Sequence, residues 1–127
     1  MPRMLRLKWI VLAAMLWLPA GAQAHTYHAA QSAHADLAII SVAELPPQAR
    51  DTLRAIKDGG PFAYPRDGVV FSNFERVLPK RPRGYYHEYT VKTPGTHSRG
   101  ARRIISGETG EYFYTADHYQ NFKRILE

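Results

Sequence analysis

A chain of 127 residues with 17 basic and 11 acidic side chains, a net charge of +6 and no cysteine is long enough for one domain with a single core. Three of the 17 basic residues, Arg3, Arg6 and Lys8, fall in the first 24 positions and none of the 11 acidic ones does, which leaves 14 against 11 for the remainder. That balance is too mild for a protein that coats a polyanion, and with no cysteine the core has no disulfide to support it.

The three cations precede an apolar run from Trp9 to Leu18, which Pro19 and Gly21 break before Ala22-Gln23-Ala24. A charged start, a short apolar stretch and a small-x-small site make residues 1–24 a signal peptide, with His25 as the mature N-terminus and a secreted product, extracellular or periplasmic. The run falls well short of the roughly 20 residues needed to cross a bilayer, so no membrane association is expected after cleavage. Without cysteine, a lipid anchor at the cleavage site is excluded as well.

Residues 25–36 have no apolar period and form a flexible lead-in, followed by one folded domain over 37–127. Leu37 to Val42 suits a first strand or extended arm. Pro46-Pro47 then opens a helix in which Ala49, Leu53 and Ile56 recur at i, i+4 and i+7, and Asp58-Gly59-Gly60 ends it. Strand-like segments follow at Val69 to Asn73, Tyr85 to Lys92, Ala101 to Ser106, Tyr112 to Thr115 and Phe122 to Leu126, separated by glycine- and proline-rich turns. A helix followed by consecutive short strands predicts an α+β fold, with the N-terminal helix packed on an antiparallel β-sheet of four to five strands. Within Tyr85 to Lys92 the period of two places Tyr85, His87, Tyr89 and Val91 toward the helix. Tyr86, Glu88 and Thr90 then occupy the other side, with Glu88 on an open concave face.

Four groups in the last third of the chain have a common chemistry: Glu88, Arg99, Arg103 and His118. A carboxylate, two guanidiniums and an imidazole supply what acid/base attack on a phosphodiester requires. Singly each is ordinary, since a strand glutamate is usually solvated and a basic pair beside Ile104-Ile105 protects many sheet edges. Upstream, Phe71-Ser72-Asn73-Phe74-Glu75 combines aromatic rings, a residue tolerant of left-handed backbone and a carboxylate, a set suited to holding a flat base.

Phe71-x-Asn73-x-Glu75, Tyr86-His87-Glu88-Tyr89-Thr90, Arg99-x3-Arg103 and Asp117-His118-Tyr119 together resemble the guanyl-preferring microbial ribonucleases, the family of barnase and the streptomycete extracellular ribonucleases. The likeness runs from about Leu45 to Ile125. It implies the microbial ribonuclease fold and a metal-independent, cofactor-free endoribonuclease that cleaves single-stranded RNA 3′ of guanosine. The expected route is transesterification to a 2′,3′-cyclic phosphate, then hydrolysis to a 3′-phosphate. Glu88 would be the base, its charge held by Arg99 and Arg103, and His118 the acid; the two arginines would grip the non-bridging oxygens.

The same resemblance places Tyr119 at the phosphate site. It gives Glu75 the guanine N1–H and N2–H₂ donors, aims the backbone amides of Ser72, Asn73 and Phe74 at O6, and stacks Phe71 on the ring. Tyr86 shares the face of Glu88 and would border the substrate. The sequence departs from the family at Phe74, where arginine is common, and in having no disulfide from the N-terminal arm to the C-terminus. A monomer is expected, and an acidic barstar-like inhibitor is the partner implied if the producing cell must protect itself. Lys80-Arg81-Pro82-Arg83 forms a basic turn that is either a solvated loop or a contact for RNA downstream of the cleavage point. Two other readings compete: an RNA- or nucleotide-binding module without catalysis, and copper or nickel binding by His25 with His28 or His34.

Overall fold

Leu37 opens the described part of the chain, which in this computed structural model covers residues 37–127. The signal peptide at 1–24, the lead-in at 25–36 and His25, His28 and His34 lie outside the described residues. The apolar segment after Leu37 forms strand β1 (Ala38–Ser41) and passes through a 3-10 turn, Val42–Glu44, into helix α1 (Pro47–Asp58). Glu44 closes the turn by accepting from both the backbone N–H and the hydroxyl of Ser41, at 2.9 Å each. α1 has proline in its first turn and stops at Gly59, whose φ of 78° is a left-handed conformation open to a residue without Cβ. Ala49 and Leu53 are buried and Ile56 packs beside them, so the stripe expected from the spacing is the one that meets the sheet.

The remaining strands are β2 (Tyr86–Thr90), β3 (Arg103–Gly107), β4 (Tyr112–Thr115) and β5 (Lys123–Leu126), in a five-stranded sheet ordered β1-β5-β4-β3-β2. β2 to β5 form the expected antiparallel meander. The expectation of a wholly antiparallel sheet is corrected at one edge, where β1 runs parallel to β5 with Ile40 opposite Ile125. Strand direction there is set by the crossover through α1, and nothing in the composition of β1 encodes it. The strand expected at Val69 to Asn73 is also not regular, since Val70 alone bridges to His87. Its segment still bonds along the outer edge of β2: Gly68 donates to Glu88 O at 2.8 Å, Glu88 to Val69 O at 2.9 Å and Phe71 to Tyr86 O at 2.9 Å. Two loop residues opposite one strand residue break the ladder in the manner of a bulge and aim the following loop across the sheet.

The sheet is covered on both faces. Toward α1, Ile40, Val91, Ile104, Tyr114 and Ile125 pack with Leu45, Ala49 and Leu53. On the other face Tyr86, Ile105, Phe113 and Phe122 pack with Leu78 and Tyr85. Tyr85 thus belongs with the second cluster and not with the helix, because it precedes the first regular residue of β2. Consecutive buried Ile104 and Ile105 serve one core each, which is why β3 reads as an apolar run.

Candidate active site

The register of β2, β3 and β4 places Thr90 opposite Arg103 and Arg103 opposite Thr115, a row of three side chains on the face away from α1. Each flanking threonine anchors one loop. The hydroxyl of Thr90 accepts from Arg99 Nε at 3.0 Å. That of Thr115 donates to Asp117 Oδ1 at 2.9 Å and accepts the backbone N–H of Tyr119 at 3.2 Å. The two loops also meet directly, His118 N–H donating to Ala101 O at 3.0 Å.

Glu88, two residues before Thr90, shares this face as expected. It does not stand open, however: it is only 6 % exposed. Tyr119 covers it from one side, donating its hydroxyl to Oε2 at 2.6 Å, and Arg99 from the other, donating to Oε1 at 3.1 Å. Arg66 Nε lies 3.8 Å from the same Oε1. Arg103 does not touch Glu88, contrary to the expectation that both arginines hold its charge. Its guanidinium lies 5.9 Å from the Tyr119 ring centre and donates to Gly100 O and Arg102 O at 2.9 and 2.7 Å. Its buried Nε has no hydrogen-bond partner. Burial, followed by the hydrogen bond to Glu88, raises the pKa of the Tyr119 phenol and keeps it a donor.

His118 is exposed at the end of this row, its ring 4.8 Å from that of Tyr119. His118 and Tyr119 both have left-handed backbone, φ 56° and 71°, which costs non-glycine residues about 1–3 kcal/mol each. Asp117 offsets that by accepting from Asn121 Nδ2 at 2.7 Å and Asn121 N at 2.9 Å. These bonds, side chain first, pull its carboxyl below the usual range. The aspartate beside the histidine therefore orders the turn.

A cleft of about 360 Å³ opens over these groups, and its lining joins Arg66, Glu88, His118 and Tyr119 to the whole segment Phe71–Glu75. Arg99 and Arg103 are not in the lining; Arg99 backs Glu88 and Arg103 lies against Tyr119. The half-buried Phe71 ring packs 5.0 Å from Tyr119 and links the two ends of the cleft. Asn73 has φ 53°, and its side chain braces the loop, Nδ2 donating to Leu78 O at 2.9 Å while Oδ1 accepts Leu78 N–H at 3.1 Å. Ser72 and Glu75 are exposed, and Phe74 is 87 % exposed. Tyr86 lies on the Glu88 face but outside this cleft, its hydroxyl donating to Pro79 O at 2.7 Å. Burial pushes its phenol up to about 12.

Sequence reasoning placed Thr90 on the Glu88 face without giving it a part in the site, and missed Arg66 and Thr115. Arg66 lies in a turn, and the part of Thr115 depends on the register of β4 against β3. Among the described residues no group of three or more His, Asp or Glu side chains is placed to hold a metal ion.

The fold and the cleft define a small α+β protein with a carboxylate, an imidazole and a guanidinium in one cleft with the Phe71–Glu75 loop. A ribonuclease family model matches residues 28–126. The chain is 57 % identical over 87 residues to guanyl-specific ribonuclease St of Saccharopolyspora erythraea, covering 68 % of this chain and 86 % of that protein. It is 58 % identical over 87 residues to guanyl-specific ribonuclease Sa of Kitasatospora aureofaciens, covering 68 % and 91 %. A solved structure of ribonuclease Sa2 with mononucleotides superposes with a TM-score of 0.71 at 50 % identity, over 72 % of this chain and 95 % of that one. Another, with guanosine-2′-cyclophosphate, gives 0.68 at 51 %, over 71 % and 96 %. The chain belongs to the ribonuclease family.

Proposed function

We propose that this protein is a guanyl-specific endoribonuclease of single-stranded RNA, working through a 2′,3′-cyclic phosphate. The observation that carries the reading is the single cleft in which Glu88, His118 and Tyr119 meet the Phe71–Glu75 loop. Its relatives bear guanyl-specific names, and one solved relative holds a guanosine cyclophosphate.

In the first step Glu88 takes the proton of the ribose 2′-hydroxyl. The new alkoxide attacks phosphorus, and His118, as imidazolium, protonates the departing 5′-oxygen. Hydrolysis reverses the roles, His118 drawing a proton from water and Glu88 returning one to the 2′-oxygen. Arg66 from the cleft wall, with Arg99 and Arg103 from behind it, supply the positive field for the phosphorane. Tyr119 holds Glu88 and borders the phosphate. Glu75 and the amides of Ser72, Asn73 and Phe74 read the guanine edge, Phe71 stacks on its face, and Tyr86 borders the substrate from the adjoining side.

Arg3, Arg6 and Lys8 ahead of the Trp9 to Leu18 run support export of a domain over 37–127, after removal of 1–24 and with 25–36 as a lead-in. A face rich in arginine suits an acidic inhibitor resembling barstar as partner. The test is a short RNA with one guanosine, incubated in EDTA with wild type, Glu88→Ala and His118→Ala. Cleavage only 3′ of that guanosine, leaving a cyclic phosphate and lost in both variants, is expected. Cleavage after every base would overturn the base assignment, and persistence in either variant the catalytic one.

A further inference from the structure

Behind the Phe71–Glu75 loop lies a second cleft, of about 310 Å³, that the chemistry above does not use. Phe71, Ser72, Asn73 and Phe74 line both clefts, so this loop is a wall between them. The far wall is the basic turn, and every charged residue in the lining is a cation: Arg76, Lys80, Arg81 and Arg83. Among the described residues none of the four makes an ion pair. Arg81 lies 5.1 Å from the Tyr85 ring centre, while Arg76, Lys80 and Arg83 are exposed. Tyr86 forms the floor, and the Phe74 ring, 87 % exposed, stands at the rim. So much unpaired positive charge beside an uncovered aromatic ring is a poor way to stabilise a surface, since like charges repel and exposed phenyl is left wet. It is what a sequence-tolerant site for one nucleotide requires, with cations for the phosphate and a ring for the base.

We infer that this cleft is a subsite for the nucleotide on the 5′ side of the guanosine, an assignment that rests on the ribonuclease reading. Polarity follows from β2. Tyr86, at the start of the strand, floors the second cleft, Glu88 lies two residues on, and Thr90 with its bonded Arg99 lies beyond. The leaving 5′-oxygen departs toward His118, so the downstream strand exits on the side away from the basic turn. With the guanine on the loop and its 3′-phosphate at Glu88, the loop's other side is left for the upstream nucleotide. Lys80 and Arg83 hold its phosphate, and Phe74 offers its base a stacking face. An aromatic ring at position 74 serves this purpose with bases of any identity, because each has a π-face.

The experiment compares kcat/KM for GpC, ApGpC and GpCpA with wild type, Lys80→Ala/Arg83→Ala and the charge-conserving Lys80→Arg/Arg83→Lys. Wild type is expected to cleave ApGpC about tenfold better than GpC, a gain within the range of one stacked base and one phosphate contact. The alanine pair loses that gain with GpC unchanged, and the conservative pair keeps it. Equal gain in the alanine pair, a loss confined to GpCpA, or a parallel fall in GpC would overturn the assignment. Calorimetric titration with 2′-deoxy-ApG against 2′-deoxyguanosine decides the subsite even if wild type cleaves nothing. Tighter binding of the dinucleotide that disappears in the alanine pair supports the subsite, while failure to cleave GpC would count against the enzymatic reading alone.

Discussion

The Tyr119 hydroxyl donates to Glu88 Oε2 at 2.6 Å across 31 residues of chain. Through this bond the turn that presents His118 is tied to the strand that presents Glu88. Arg99 holds the other carboxylate oxygen, and both loops hang from the threonines that flank Arg103. The proposed base and acid thus owe their separation to the three-strand register. The left-handed residues at 118 and 119 are strain that this register holds in place.

Tyr119→Phe keeps the ring that packs on Phe71 and removes only the donor. A charge-assisted hydrogen bond contributes about 1.5–3 kcal/mol, so kcat/KM on GpC is expected to fall by about 10- to 100-fold. Steady-state kinetics beside circular dichroism checks this. Unchanged kinetics in a folded variant would show that the hydroxyl plays no part in positioning Glu88.

Thr115 is 1 % exposed and no substrate reaches it, yet its hydroxyl serves both Asp117 and the Tyr119 amide. Thr115→Val retains the shape and leaves that amide without its acceptor. A loss of about 1–3 kcal/mol in urea unfolding is expected. Cleavage should fall as well, through a looser His118 turn. A stability loss with full activity would mean that the turn geometry does not depend on the threonine.

Glu75 and Asn73 of the Phe71–Glu75 loop have different work. Glu75 is exposed and makes no bond within the described protein, so Glu75→Gln should leave stability within about 0.5 kcal/mol. It should lower kcat/KM for GpC about a hundredfold relative to ApC, since a site that hydrogen-bonds its ligand discriminates strongly when one partner is changed. Asn73 is instead the brace of the loop, bonded on both amide atoms to Leu78, with positive φ. Asn73→Ala should cost about 1–3 kcal/mol, and Asn73→Gly less, because glycine relieves the backbone term. Equal losses would show that φ 53° carries no strain.

Much of this was legible in the sequence, for reasons visible in particular residues. α1 could be read from Pro47, the Ala49-Leu53-Ile56 spacing and Gly59, since helix signals are local. The face of Glu88 followed from the period of two. The parallel pairing of β1 could not be read, because Ala38 to Ser41 would suit either direction and the crossover decides. Nor could the depth of Glu88, which depends on Tyr119 folding back over it from 31 residues away. The segment at Val69 to Asn73 has strand composition, but it bonds to β2 through a bulge and is needed as a loop. The contact of Arg66 with the Glu88 carboxylate follows from that same edge pairing, a tertiary fact with no trace in the turn that carries it.

Tyr86 offers a pH test of the second core. Its phenol is raised from 10.0 to about 12, burial being the main cause, and its hydroxyl donates to Pro79 O. The folded state holds this proton more tightly than the unfolded chain does. Its contribution is therefore fully present below about pH 10 and is lost as pH rises from there toward 12. Tyr114 and Tyr119 are raised too, so the wild-type curve contains more than one such phenol. The part belonging to Tyr86 is the difference from Tyr86→Phe. That variant should be about 1 kcal/mol less stable at pH 8, having lost the bond to Pro79, and flatter between pH 10 and 12. Urea midpoints at pH 8, 10 and 11 measure both effects. Curves that run parallel above pH 10 would mean that Tyr86 titrates like an exposed phenol, and that the wall between the core and the basic turn is open to water.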